Sequence, residues 1–108
     1  MNKKSVLRLT DFEIQSIKDV FKTHFTPHDH LWVFGSRVNP QKRGGDLDLY
    51  IETILDSLDK IVEKKIQFLV DVKMKIGDQR IDVVINNPKN HLTLPIYQEA
   101  RNTGILLL

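Results

Sequence analysis

Apolar residues recur at three- and four-residue steps early in the chain, at Ile14, Ile17, Val20, Phe21 and Phe25. That period predicts an amphipathic helix from about Asp11 to Phe25 with these residues as its buried stripe. Thr10-Asp11-Phe12-Glu13 marks its start as a capping box, and Met1 to Leu9 forms a basic lead-in with little pattern. Thr26-Pro27-His28-Asp29-His30 breaks the helix. With His24 this turn gathers three histidines, but the spacing crosses a helix end and a proline, so an exposed turn accounts for it more simply than a metal site. His30 through Phe34 reads as the first strand, and Asp46 to Ile51, which alternates polar and apolar, as the second.

The helical period returns between Glu52 and Gly77. Leu58, Ile61, Val62, Ile66, Leu69 and Ile76 mark the face expected to pack on a sheet, and Gly77 is the expected C-cap. Phe68 and Val70 fall off that stripe, to meet the rest of the core or to be covered by a partner chain. Arg80 to Ile85 is a third strand-like run, Asn86 to Asn90 a turn around Pro88, and Pro95 to Asn102 a final helix capped by Gly104 before a short terminal strand. This order predicts an α/β fold, a small mixed β-sheet flanked by helices. Without repeats or low-complexity segments, residues 1–108 are expected to form a single domain.

Composition narrows the function classes. Hydrophobic residues at 41% and charged residues at 28% exclude a disordered chain. No run has the length and apolarity of a membrane span, no basic-then-apolar leader opens the chain, and the absence of cysteine excludes disulfides and thiolate metal sites. A soluble, cytoplasmic protein is expected. A net charge of +2 is too small to argue for direct nucleic-acid binding.

Candidate chemistry centres on Phe34 to Ile51, FGSRVNPQKRGGDLDLYI. Asp46, Asp48 and Tyr50 share one strand face while Leu47, Leu49 and Ile51 share the other, which is core. Two carboxylates about 7 Å apart on one face suit a hard divalent cation, Mg²⁺ or Mn²⁺. An edge strand with a wet polar face explains the same pattern. Upstream, Gly35 lets the backbone approach a ligand closely, and Ser36 as an N-cap would start a helical turn aimed at an anion. An anion site beside a metal site suggests a nucleoside triphosphate. Arg37, Lys42 and Arg43 crowd the intervening loop, where they either meet phosphate or are simply solvated. Asp82, among Ile81, Val83 and Ile85, is expected to be partly buried and so to need a partner: the metal, or Arg80 or Lys75.

Gly35-Ser36, Asp46-Leu47-Asp48 and the later apolar-flanked Asp82 resemble the signature of the DNA polymerase β-like nucleotidyltransferase superfamily. The small size resembles its minimal branch, the antitoxin-type proteins paired with a HEPN toxin. The likeness runs from about Leu31 to Ile85, with a looser echo near Pro95-Ile96 and Gly104-Ile105. It implies a nucleotidyltransferase fold in which Gly35, Ser36 and Arg37 hold the nucleotide, ATP. It further implies that Asp46, Asp48 and Asp82 are the metal-binding and catalytic carboxylates, with Asp82 also activating the acceptor hydroxyl. The implied reaction transfers AMP to a tyrosine hydroxyl of a HEPN ribonuclease toxin. Two other outcomes stay open: an inactive antitoxin that neutralises by binding alone, and a small-molecule nucleotidyltransferase. The chain departs from the pattern at Val38-Asn39-Pro40, where many members have Ala-Arg-Gly, and at Gly45, where Ser is common.

Overall fold

The capping box forms as its spacing predicts: Thr10 Oγ1 accepts from the Glu13 amide and Glu13 Oε1 from the Thr10 amide, both at 3.0 Å. In this computed structural model, which describes residues 7–38, 45–89 and 94–108, helix α1 follows over Asp11–His24. Strand β1 spans His30–Phe34, a single 3₁₀ turn covers Gly35–Arg37, and β2 spans Leu47–Glu52. Helix α2 (Leu58–Ile76), β3 (Ile81–Asn86), α3 (Pro95–Thr103) and the two-residue β4 (Ile105–Leu106) complete the order. Asn39, Pro40, Lys42 and Arg43, and likewise His91 and Leu92, lie outside the described residues. Among the described residues no helix is long and apolar enough to cross a membrane.

The four strands form one mixed sheet in the order β3-β2-β1-β4, with β2 antiparallel to β1 and parallel to β3. Joining two parallel neighbours requires a crossover, and α2 supplies it. One sheet face, built from Leu31, Val33, Leu47, Leu49, Ile51, Ile81 and Val83, packs against Ile17, Val20 and Phe21 of α1 and Phe68 and Val72 of α2. On this face Phe21, Phe25 and Phe68 form an aromatic knot in which Phe21 and Phe25 stack at 5.0 Å. The other face carries Trp32, Phe34 and Tyr50 beneath Ala100, Ile96 and Tyr97 of α3.

Two expectations about packing fail, each for a physical reason. The stripe expected to bury α2 includes Leu58, Val62 and Ile66, yet these are exposed, while Phe68, which falls off it, is fully buried. Helix α1 packs against α2 where His24 Nε2 hydrogen-bonds Asp71 and Phe21 packs on Phe68. Which face of a helix is buried depends on that overlap, and periodicity alone does not report it. The aspartate face of β2 was expected to lie outside the core, yet Tyr50 on it is fully buried because α3 closes over that end of the strand.

The histidines behave as an exposed turn. His28 and His30 are exposed, and His24 is engaged by Asp71 instead of by them. Asp29 between them is buried and structural, its carboxylate accepting from the Thr26 and Ile54 amides at 2.9 Å each.

Candidate active site

Gly35 follows β1 directly and takes a left-handed conformation, φ 76°, that other residues resist. The chain turns there over the first residues of β2. Phe34 occupies the N-cap position of the 3₁₀ turn, so Ser36 lies inside the turn and is not its cap, as had been expected. The Ser36 hydroxyl instead donates to the Asp46 carbonyl at 3.3 Å, tying the turn to the start of β2. Phe34, Gly35, Ser36, Gly45, Asp46 and Asp48 line an open cleft of about 540 Å³, closed on the far side by Val84 of β3 and by Ile96 and Glu99 of α3.

The carboxylates of Asp46, just before β2, and of Asp48, within it, are half-buried in this cleft. Because β2 is paired on both sides, the edge-strand explanation of the Asp-Leu-Asp pattern does not apply. A Cβ built on Gly35 would overlap Asp48 Oδ2 and lie 3.1 Å from its Cγ, so the glycine leaves the space that the carboxylate fills. Among the described residues Asp46 makes one long ion pair, 3.8 Å from Arg80 Nε; Asp46 is half-exposed and Arg80 largely so, which makes the pair weak and easily exchanged.

Asp82 stands in register with Asp48 across the parallel β2/β3 pair, which sets both on one sheet face. It is exposed and does not line the cleft, contrary to the expected partial burial. The cause is that β3 is an edge strand, and α3 covers its outer face only farther along, near Val84. Among the described residues no three acidic or histidine side chains converge to enclose an ion by themselves.

Arg37 points away from the cleft. Its guanidinium donates to the Arg8 carbonyl at 3.0 Å, the Gly45 carbonyl at 2.8 Å and Gln79 Oε1 at 3.1 Å, while its Nε is buried without an acceptor. Gln79 in turn donates to Glu13 Oε2 at 2.7 Å. Burial pushes the Glu13 carboxyl upward, but the Thr10 and Gln79 hydrogen bonds and the Arg37 charge outweigh it and hold the pKa below its ordinary value. The capping residue of α1 is therefore linked, through Gln79 and Arg37, to the backbone that presents Asp46. The contribution of Glu99 to the cleft was not foreseen, since nothing local distinguishes it from any exposed helix glutamate.

No protein-family model matches the chain, and the curated proteins searched contain no match either.

Proposed function

We propose that the protein is a metal-dependent nucleotidyltransferase with the polymerase β-like fold, working as the antitoxin partner of a HEPN-type toxin. The observation that carries this reading is the convergence, in one open cleft, of the Gly35-Ser36 turn with Asp46 and Asp48. The donor set suits Mg²⁺ or Mn²⁺, which characteristically takes one or two carboxylates and completes its shell with substrate phosphates and water. Two protein carboxylates without a closed cage match that habit. When bound, the ion supplies charge stabilisation for the attacking and leaving oxygens.

The chain's own residues bind and orient. The turn at Gly35-Ser36 admits the triphosphate of ATP close to the backbone, Asp46 and Asp48 hold the cation, and Arg37 fixes the turn and Gly45 in place. The acceptor hydroxyl forms a new bond to the α-phosphorus, the bond to the bridging oxygen breaks, and pyrophosphate leaves. Asp82, in register with Asp48 on the same sheet face, takes the hydroxyl proton in this reading. In this reading the acceptor is a tyrosine of the toxin.

A binding-only antitoxin is the second reading. It is favoured by the ion pair that Asp46 makes with Arg80. Titration calorimetry tests the site directly. Wild type should bind ATP only with Mg²⁺ or Mn²⁺, and the double variant Asp46→Asn/Asp48→Asn should lose that metal dependence. Equal, metal-independent behaviour of both proteins would remove the metal assignment.

A further inference from the structure

Helix α2 exposes the wrong residues for a protein that stays alone. Of its nineteen residues only Phe68 and Val72 are buried. Leu58, Val62, Ile66, Val70 and Met74 stand 74%, 48%, 57%, 51% and 81% exposed, every fourth residue from one end of the helix to the other. Side chains four apart form a continuous ridge, and such ridges interlock with those of another helix. The ridge is about 25 Å long at 1.5 Å per residue, and its accessible surface, roughly 500 Å² on residues of this size, matches the largest patches found on monomers.

We propose that this ridge is a self-association surface, on which α2 of a second copy of the chain packs antiparallel about a two-fold axis at Ile66. Two arguments select a second copy as the occupant. The first is area: two such ridges together expose about 1,000 Å², the scale on which a small specific interface draws. The second is charge. Asp59 lies in the first turn of α2 and Lys73 in its last, both beside the ridge at 100° per residue. Antiparallel pairing sets each acidic end beside the other copy's basic end and opposes the two helix dipoles, so that the surface is complementary to itself. Helix α2 packs on the sheet face opposite the cleft, so the pairing leaves both candidate sites open. The inference does not depend on what the cleft does.

Sedimentation of the full chain over a range of concentrations reads the association. Wild type should form a reversible dimer, and Ile66→Asp, at an exposed position, should raise its Kd by about 100-fold, the effect of a central hot spot, with the circular dichroism spectrum unchanged and the melting temperature equal to wild type's when both are measured below the wild-type Kd. Asp59→Lys and Lys73→Asp should each weaken the dimer, and the two together should restore it. Because the chain has no cysteine, Ile66→Cys gives a single thiol at the two-fold, which should oxidise readily to a disulfide dimer. A wild type that stays monomeric to millimolar concentration overturns the proposal, including when another protein proves to occupy the ridge. A dimer indifferent to Ile66→Asp, or single charge reversals that the double reversal does not rescue, overturns it as well.

Discussion

The Asp48 carboxylate rests directly against the Cα of Gly35, in space that any side chain at residue 35 would need. This contact couples the turn after β1 to the second carboxylate of β2, and the positive φ of Gly35 reinforces it. Replacing Gly35 by Ala therefore combines backbone strain with displacement of Asp48. We expect a stability loss of about 1–3 kcal/mol and loss of metal-dependent nucleotide binding under conditions where the variant remains folded. Urea unfolding and calorimetry read the two effects. A variant as stable and as competent as wild type would show that the contact is incidental.

Arg37 separates a positioning role from a phosphate-binding one. Its guanidinium spans two backbone carbonyls and Gln79, a geometry that an ammonium cannot reproduce. Arg37→Lys keeps the charge but should lower stability by about 2–3 kcal/mol, the scale of charged hydrogen bonds lost, and should weaken nucleotide binding only through the displaced turn. Were stability unchanged and only ATP affinity reduced, the side chain would be acting on phosphate instead.

Tyr50 makes the fold sensitive to alkali. Burial pushes its phenol up to about 12 from an ordinary 10.0, with the Glu52 carboxylate adding to the shift and Asn86 and Arg101 opposing it. The phenol donates to Glu52 Oε2 at 2.9 Å, which favours the neutral form, and accepts from Asn86 Nδ2 at 3.2 Å, which partly offsets it. Between pH 10 and 12 the unfolded chain releases this proton while the folded chain keeps it. Stability attributable to Tyr50 is thus fully present below pH 10 and declines as pH rises toward 12, at up to about 1.4 kcal/mol per pH unit. Unfolding free energies at pH 9 and 11 should fall less in Tyr50→Phe than in wild type. Identical slopes would contradict the assignment.

Local signals placed the elements well and their surroundings less well. The capping box at Thr10, the apolar run ending at Phe34 and the alternation around Asp46 and Asp48 lie within single segments, and each element they predict forms within a residue or two of its expected span. The Gly35-Ser36 turn and both aspartates were legible for the same reason. What was not legible depends on contacts far apart in the chain. The exposure of Asp82 follows from β3 being an edge strand, the buried face of α2 from where α1 overlaps it, and the role of Arg37 from Arg8 and Gln79. Gly104 caps α3 as the sequence predicts, its amide donating to the Ala100 carbonyl, but with an ordinary φ of −80°. The requirement there is close approach: a Cβ would press on the Val33 carbonyl and the Phe34 side chain, where α3 ends against β1.

The central claim is nucleotidyl transfer from the Gly35, Asp46 and Asp48 cleft, and intact-mass spectrometry of a HEPN-type partner protein tests it most directly. Incubated with this protein, ATP and Mg²⁺, the partner should gain mass in steps of one nucleoside monophosphate, pyrophosphate should accumulate in equal amount, and Asp46→Asn should abolish both. An unmodified partner under every nucleotide tried, inhibited equally by wild type and Asp46→Asn, would contradict the account and leave binding alone as the mechanism.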